Sequence, residues 1–429
     1  MVVAAPSSGS GKTVVTLALL RLLAREGVPV SPVKLGPDYI DPAFHAAASG
    51  VPSVNIDPWA MSSELQQRLL PSGPCVAEAM MGLFDGAADG KGSAADFAAC
   101  HNVPVVLVVN CASMGQSVGA IAYGFATHRE EIDVAAVILN RVGSDRHEAM
   151  LRSALAEIDM PVLAALRRDD GLALPSRHLG LVQAQEAVGL DNFLDRAADQ
   201  LSHTLDATLL AQIVSGPVSA EPADHGSISL PPPGQRIAVA RDEAFAFFYP
   251  HLAQDWQAAG AGLHFFSPLA NEPPPSDCDV ILLPGGYPEL HAAQLAGSEG
   301  FLMGLRNAAE DVPIYGECGG YMVLGQGLID AEGQRHQMAD LLPVETSFET
   351  RKLHLGYRIG VISEDCPVWP GIAFRGHEFH YSQQTSADVA QPFASGLMDA
   401  TGREIGDVGA TVGRVTGSYL HLICEASDD

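Results

Sequence analysis

A loop near the start of the chain constrains its fold more than any other stretch. An apolar run at residues 2–5 leads into Pro-Ser-Ser-Gly-Ser-Gly-Lys-Thr at residues 6–13, and a second apolar run follows. Gly9 and Gly11 allow backbone amides to converge on a phosphate chain, Lys12 can reach the terminal phosphates, and the Thr13 hydroxyl can bind Mg²⁺. Pro6 stands where the strict Walker pattern has glycine. The sequence therefore predicts a variant nucleotide-binding loop between a β-strand and an α-helix, rather than a chance Gly-Lys-Thr in a turn.

Composition limits the classes of protein to consider. The 429 residues predict two to three domains, and 51 acidic against 24 basic residues give a net charge of −27 that argues against a nucleic-acid surface. Seven scattered cysteines without a Cys-x-x-Cys pair are typical of a reducing compartment. Because no apolar run is long enough to cross a bilayer, we expect a soluble, cytoplasmic protein with no membrane partner.

Short apolar runs alternate with helical stretches through the first half of the chain. They are rich in Val, Leu and Ile, as expected for parallel strands covered on both faces. The runs lie at residues 2–5, 28–35, 75–80, 104–109, 134–139 and 161–166. Polar residues follow them, at the carboxyl ends where doubly wound sheets bind ligands. We therefore predict an α/β domain with a doubly wound parallel sheet and one site built from several loops.

Four acids belong to these loops: Asp38, Asp41, Glu78 and Asp85. Each could be a solvated loop acid on its own. Together, near a triphosphate, they would repel it unless a cation lay between them, and this predicts Mg²⁺. We expect Thr13, Asp38 and Glu78 to hold that ion.

A proline-rich stretch separates two domains. Residues 213–235 are rich in Pro, Gly and Ser, which predicts a linker between a domain at 1–212 and a second at 236–429. The second domain begins with apolar runs at residues 236–240, 263–266 and 280–283. We expect these runs to be strands of another α/β domain.

The sequence Gly-Glu-Cys-Gly-Gly at residues 316–320 lies between an apolar strand and an apolar helix, the setting of a nucleophile elbow. We predict that Cys318 is a nucleophile, with its thiol pKa lowered by the helix N-terminus. A buried structural cysteine is the alternative, but it would not require the elbow glycines. Backbone amides at Gly286 and Gly319 are candidates for an oxyanion hole.

A cysteine nucleophile needs a base. His421, at the end of a late apolar run, is our first candidate. His377 and His380 compete with it, because fifteen histidines make any single choice weak.

Taken together, these residues resemble the corrinoid a,c-diamide synthases, a glutamine-dependent amidotransferase family of cobalamin biosynthesis. The resemblance covers nearly the whole chain and is most specific at residues 5–13, 34–42, 81–86, 139–143, 174–181, 352–358 and 376–382. The Pro-Asp-Tyr-Ile-Asp-Pro string at residues 37–42 is similar to this family rather than to the related cobyric acid synthases.

The resemblance implies a dethiobiotin-synthetase-like ATP domain followed by a class I glutamine amidotransferase domain. It implies Cys318 as the glutaminase nucleophile and His421 as its base. The other implied roles are ATP binding by Gly9, Gly11, Lys12, Thr13 and Asn140, and positioning of the substrate carboxylate by Asp38, Tyr39, Asp41 and Asp85.

Two positions depart from the family pattern. Ala79 stands where glycine usually follows the acid at 78. Ile423 occupies the place, two residues after the histidine, where many class I glutaminases have Glu. The third member of the triad is therefore absent or supplied elsewhere, with Glu378 as a candidate.

The expected reaction amidates the a and c acetate carboxylates of a corrin ring through an acyl phosphate, with ATP cleaved to ADP and phosphate and ammonia taken from glutamine. Hydrogenobyrinic acid is favoured as the substrate; cobyrinic acid and nickel sirohydrochlorin are alternatives. Two rival functions are a partitioning or scaffolding ATPase and a thiol hydrolase with a vestigial nucleotide fold. The order of the amidations and the oligomeric state, with a homodimer as one alternative, stay open.

Overall fold

The computed structural model describes residues 1–173, 176–177, 180–214, 229–387 and 391–426, with no side-chain description at 174–181 and 386–390. The chain divides into two units, Met1–Gly226 (unit 1) and Ser227–Asp429 (unit 2). The string at 174–181 that contributed to the family resemblance lies outside the described residues, apart from two short strands. Of the predicted linker, residues 215–228 lie outside them as well.

Unit 1 is built on a seven-stranded sheet in the order β3-β2-β4-β1-β5-β6-β7, in which every pair of neighbours is parallel. Its strands are β1 (Val2–Ala4), β2 (Ser31–Leu35), β3 (Val54–Ile56), β4 (Cys75–Glu78), β5 (Val105–Asn110), β6 (Val134–Val142) and β7 (Val162–Arg167), with a hairpin of β8 (Ser176–Arg177) and β9 (Gly180–Leu181). Its helices are α1 (Lys12–Arg25), α2 (Asp41–Ser49), α3 (Ser63–Leu69), α4 (Ala94–His101), α5 (Ser117–Thr127), α6 (Asp145–Ala156), α7 (Leu190–Ser202) and α8 (Ala207–Val214).

The strands of this sheet are apolar because helices cover both faces. Strands β1 and β4 are buried throughout, and β5 is buried at all but its last residue. The doubly wound parallel sheet predicted from the sequence is confirmed, with β1 at its centre. Parallel strands present their carboxyl ends at one edge, so the residues that follow β1, β2, β4 and β6 share that edge.

Unit 2 has a second, mainly parallel sheet in the order β11-β10-β12-β13-β23-β22, with only the β22–β23 pair antiparallel. These strands are β10 (Arg236–Ala240), β11 (Gly262–Phe266), β12 (Val280–Leu283), β13 (Ile314–Glu317), β22 (Ala410–Val412) and β23 (Val415–Ser418). The helices are α9 (Pro250–Ala258), α10 (Ala292–Gly297), α11 (Glu299–Ala308) and α12 (Gly319–Leu324).

Two smaller sheets complete unit 2 and were not predicted. One is an antiparallel sheet in the order β21-β20-β17-β18-β24, and the other is a mixed sheet in the order β15-β14-β16-β19. Their strands are β14 (Gly327–Ile329), β15 (Arg335–Gln337), β16 (Val344–Ser347), β17 (His354–Ile362), β18 (Ala373–His380), β19 (Gln383–Ala387), β20 (Ala394–Asp399), β21 (Glu404–Val408) and β24 (Leu420–Glu425).

The end of the predicted linker packs on unit 2. The Trp256 indole donates to the Leu230 carbonyl at 3.0 Å, and Trp369 donates to the Pro231 carbonyl at 2.8 Å. Ser229 donates to the Asp255 carboxylate. Among the described residues, no helix is both long and apolar enough to cross a membrane.

Candidate functional site

The phosphate loop of unit 1 has the geometry that its glycines predict. Gly9 and Gly11 have φ of 76° and 92°, a conformation that side chains rarely adopt. Asn140, near the end of β6, donates from Nδ2 to the Ser10 carbonyl at 2.9 Å and so braces the loop. A Cβ at Gly11 would collide with that same amide.

Lys12 is folded back onto the backbone of this region. Its ammonium donates to the carbonyls of Ser7, at 3.5 Å, and of Met81. Burial lowers the pKa of Lys12, and the nearby Glu78 carboxylate partly offsets that effect. A terminal phosphate is a stronger acceptor for the ammonium than a neutral carbonyl, so it can replace these contacts.

Glu78, at the end of β4, is the centre of a buried cluster. The Thr13 hydroxyl donates to Glu78 Oε1 at 2.6 Å, and the Lys34 ammonium lies 3.3 Å from the same oxygen. His45 Nε2 lies 2.7 Å from Oε2. Burial opposes the charge of this carboxylate, but Lys34 and His45 outweigh burial and hold the pKa of Glu78 well below its usual range.

The turn after β2 brings the other acids to the same edge. Lys34 also donates to Asp41, whose side chain is 10% exposed, and lies 3.9 Å from Asp38. Asp38 Oδ1 accepts from the amides of Ile40 and Asp41, so it shapes the turn on which the half-buried Tyr39 lies.

Asp85 lies further out. It is exposed and accepts from the Gly82 amide at 2.8 Å, which stabilises its own loop. Its charge nevertheless acts on Lys12 and raises the pKa of that ammonium slightly against burial.

Two residues of this cluster, Lys34 and His45, were not singled out from the sequence. Lys34 lies in a buried strand and is only 3% exposed, and a lysine is almost never buried without a partner. His45 follows Asp41 by four residues on α2, so both face the cluster. A lysine inside an apolar run and an Asp-x₃-His spacing were therefore the available signals.

In unit 2, Cys318 sits at the sharp turn between β13 and α12. Its φ is 46°, which is strained for a residue with a side chain, and its amide donates to the Ser418 carbonyl at 2.8 Å. Gly320 has no room for a Cβ because the Leu283 carbonyl of β12 is in the way. This is the geometry predicted for a nucleophile elbow.

The expected low pKa of this thiol is wrong. Burial raises the pKa of Cys318 far above its usual value, and the carboxylates of Glu289 and Glu317 raise it further, while a hydrogen bond from the Gly319 amide only partly opposes this. The Gly319 amide, at the N-terminus of α12, lowers the thiol pKa by less than burial raises it. The resting residue is a thiol, and a base has to remove its proton.

The predicted oxyanion amides lie beside this thiol. A Cβ built on Gly319 would be 3.1 Å from the Gly286 nitrogen, which shows how closely the two backbones approach. Gly285, next to Gly286, separates the nucleophile from His421: its Cβ would be 3.4 Å from Cys318 Cβ and 3.4 Å from His421 Nε2. The structure thus brings both amides, the thiol and one imidazole together.

His421 is the histidine at this position. It is 1% exposed, and its ring stacks on His377 with centroids 4.9 Å apart. Burial, and after it His377 and His380, lower the pKa of His421 well below its usual range, so the imidazole is neutral and able to accept a proton.

The competing histidines have other partners. His377 shares a hydrogen bond with the Tyr249 hydroxyl at 3.0 Å, and burial lowers its pKa to about 3. His380 stacks on Tyr419, and its Nε2 lies 2.9 Å from Glu378.

Glu378 is a less suitable third member than the sequence suggested. Its carboxylate pairs with the Arg358 guanidinium at 2.7 Å and lies 2.9 Å from His380 Nε2, and these two partners outweigh burial to lower its pKa to about 2. It also lies with His354 and His380 in a group whose ligand atoms fall within 4.8 Å of one another, but the Arg358 charge disfavours a metal ion there. The carboxylate beside His421 is that of Glu317, 3.8 Å from Nδ1.

Comparisons with known proteins agree with this arrangement. Residues 1–182 match the CobQ/CobB/MinD/ParA nucleotide binding domain, and residues 236–429 match the CobB/CobQ-like glutamine amidotransferase domain. A hydrogenobyrinate a,c-diamide synthase of Brucella abortus biovar 1 (strain 9-941) is 53% identical over 98% of this chain and 97% of its own length. The chain belongs to the hydrogenobyrinate a,c-diamide synthase family.

Other relatives in this family carry the same name. The Sinorhizobium sp. protein is 51% identical and the Agrobacterium fabrum (strain C58 / ATCC 33970) protein 46% identical, each over 99% of this chain and 98% of the relative. Among solved structures, chloroplast FtsY from Physcomitrella patens is similar with a TM-score of 0.31 and 16% identity, covering 46% of this chain and 64% of that one. The resemblance predicted from the motifs, and a glutamine-dependent amide-forming enzyme, are confirmed.

Proposed function

We propose that this protein amidates the a and c acetate carboxylates of hydrogenobyrinic acid, using ATP and glutamine. The names of its full-length relatives support this substrate over cobyrinic acid and nickel sirohydrochlorin. The proposal takes ATP, glutamine and the corrin ring as the partners of the reaction. Seven free cysteines and the need for ATP favour the cytoplasm as its location.

Unit 1 would activate the carboxylate. Lys12 and the loop amides would hold the phosphates of ATP, and Lys34 would supply a second buried cation at the same sheet edge. Transfer of the γ-phosphate to the ring carboxylate breaks the bond to ADP and gives an acyl phosphate, from which phosphate is a far better leaving group than hydroxide. Ammonia then attacks the acyl carbon, phosphate leaves, and the amide remains.

Mg²⁺ fits the oxygen donors of this loop. The Thr13 hydroxyl and the Glu78 carboxylate meet at 2.6 Å, and hard oxygen ligands of this kind are those that the ion prefers. Thr13 and Glu78 would hold it, together with Asp38. The bound ion would neutralise charge on the phosphates.

Unit 2 would supply the ammonia. His421 accepts the Cys318 proton while the sulfur attacks the carboxamide carbon of glutamine, and the amides of Gly286 and Gly319 stabilise the resulting oxyanion. His421 returns the proton to the leaving ammonia, and a thioester remains. Water hydrolyses the thioester to glutamate and restores the thiol.

One observation carries the proposal: a single chain holds both a braced phosphate loop beside a buried lysine–carboxylate cluster and a cysteine elbow with a neutral histidine. A partitioning ATPase has no use for the second site. A thiol hydrolase has no use for the first.

The test is Cys318→Ser, assayed with glutamine and with ammonium chloride. We expect glutamine-dependent amidation to be lost and ammonia-dependent amidation to remain, while Lys12→Ala loses both. The assay follows glutamate, ADP and the mass of the ring product. Failure of ammonia to restore amidation in Cys318→Ser, or full turnover by Lys12→Ala, would show that the two units do not divide the work in this way.

A further inference from the structure

A glutaminase histidine needs a group that holds its second nitrogen. In this chain the usual position, two residues after His421, is occupied by Ile423, which is buried and apolar. Glu378 is already paired with Arg358 and His380. Another carboxylate has to be found if the imidazole is held in one tautomer.

Glu317 reaches His421 from a neighbouring strand. It ends β13, which pairs in parallel with β23, and β24 starts two residues after β23 ends. Its Oε1 accepts from the Leu422 amide of β24 at 3.3 Å, and its Oε2 lies 3.8 Å from His421 Nδ1. The carboxylate is therefore fixed to the strand that carries the base.

A tyrosine fixes the carboxylate from its other side. The Tyr315 hydroxyl donates to Glu317 Oε1 at 3.2 Å, and the Tyr315 ring is packed against Trp369 and Phe393. Glu317 itself is 7% exposed. Two donors on one oxygen leave Oε2 directed at the imidazole.

We infer that Glu317, the residue immediately before the nucleophile, is the positioning residue of the glutaminase: its carboxylate holds His421 with the proton on Nδ1 and the lone pair of Nε2 toward Cys318. The inference rests on the proposed function. In the resting structure the separation is about 1 Å longer than a hydrogen bond, and such contacts commonly tighten when substrate binds.

The role explains how a buried thiol can be used. Proton transfer from Cys318 gives an imidazolium in a buried, weakly polar place, which is costly without a counter-charge. Glu317 supplies that charge next to Nδ1, so the ion pair forms as the sulfur attacks. The corresponding arrangement in serine proteases shows that a carboxylate behind the histidine both selects the tautomer and stabilises the cation.

The carboxylate acts only when ionised, and its surroundings set when that happens. Burial raises the pKa of Glu317 to about 8, although the Leu422 amide and the Tyr315 hydroxyl lower it. The titratable groups that act on Glu317 are the Tyr315 hydroxyl, the His421 ring, the Cys318 thiol and, beyond Tyr315, the Cys366 thiol. On the side of His421, the rings of His377 and His380 also act. Since a protonated Glu317 would present its proton to Nδ1 and leave Nε2 unable to accept one, glutamine hydrolysis should rise with pH through about 8.

Glu317→Gln tests the inference because it keeps the shape and the acceptor oxygen but removes the charge. With glutamine, we expect kcat for glutamate release to fall about 10²-fold with little change in KM, the range of a general acid–base contribution. The step near pH 8 should be absent. Ammonia-dependent amidation should equal that of the wild type, which separates this result from a failure of the proposed function.

Two further variants complete the design. Tyr315→Phe removes one hydrogen bond to the ionised form, so the step should move to higher pH with a smaller loss of kcat. Glu345→Gln makes the same chemical change on β16, where the carboxylate pairs with Arg335, and should leave kcat unchanged. A wild-type kcat and pH profile in Glu317→Gln would overturn the inference, as would an equal loss of ammonia-dependent and glutamine-dependent amidation.

Discussion

At the scale of single residues, one buried cation, Lys34, holds the acids of unit 1 together. Lys34 touches both Asp41 and Glu78 and has a side-chain exposure of 3%. Burial opposes its charge, but the two carboxylates outweigh burial and raise the pKa of Lys34 above its usual value. Lys34 and Lys12 therefore offset part of the acidic charge at this sheet edge, and the proposed Mg²⁺ would offset more of it.

Lys34→Met should destabilise unit 1 strongly. The change keeps the chain length of the side chain but leaves Glu78 and Asp41 without their cation, and removing one partner of a buried pair costs about 3–5 kcal/mol. Hydrogen exchange of peptides from β2 and β4, measured in the full chain at increasing urea concentrations, reports the free energy of opening of this unit alone. Lys91→Met, at an exposed lysine, is the matched control and should change it by less than about 0.5 kcal/mol. Equal exchange in the two variants would contradict the pairing.

At the scale of elements, the elbow between β13 and α12 works because its neighbours have no side chains. Gly285 follows the end of β12 closely and faces both reacting groups of unit 2. Cys318 has a strained backbone, with φ of 46°. The turn can hold this conformation because Gly319 and Gly320 let the backbones of neighbouring segments approach closely.

Gly285→Ala should remove glutaminase activity and little else. Its Cβ would lie 2.5 Å from His421 Cε1, so the imidazole has to move away from the thiol. We expect glutamine-dependent amidation to fall at least about 10²-fold, with ammonia-dependent amidation intact. Gly297→Ala, on α10 with nothing within 4 Å of the new Cβ, is the control. If the two alanine variants hydrolysed glutamine equally well, Gly285 would not separate the base from the nucleophile.

The sequence predicts elements well where a local pattern decides them. Continuous apolar runs identify six of the seven strands of the unit 1 sheet, but β3 is three residues long and carries no such run. The two smaller sheets of unit 2 were not predicted because strands such as β17 are mostly half-buried and mix polar with apolar residues.

In the candidate sites too, local sequence motifs could be predicted and contacts between distant residues could not. The phosphate loop and the cysteine elbow are contiguous motifs, so they can be read directly. Glu317 and His421 are 104 positions apart in sequence, and they meet because β13 pairs with β23, from which the chain continues directly into β24. The predicted pKa of Cys318 was wrong because the pKa depends on burial and on carboxylates that include two distant in sequence, Glu289 and Glu378.

At the scale of the whole molecule, two chemically complementary units are joined in one chain. The relatives that share 46% to 53% identity extend over nearly the same length, so the pairing of the two units is common to them. Under the proposed function, glutamine hydrolysis in unit 2 is useful only if its ammonia reaches the acyl phosphate in unit 1. Ammonia released into neutral water is mostly protonated and then is no longer a nucleophile.

If ammonia passes from unit 2 to unit 1 without mixing with the solvent, the product amide takes its nitrogen from glutamine. With glutamine labelled by ¹⁵N in its side-chain amide and an equal concentration of unlabelled ammonium chloride, we expect most of the product amide to carry ¹⁵N, because ammonia made by the enzyme is used before it is protonated and diluted. Mass spectrometry of the ring product measures the label directly. Cys318→Ser in the same mixture should give unlabelled amide, which controls for reaction with bulk ammonia. If the ¹⁵N fraction of the wild-type product were no higher than that of the bulk ammonium, the ammonia would escape into solution before it reacts. Joining the two units in one chain would then not serve ammonia transfer.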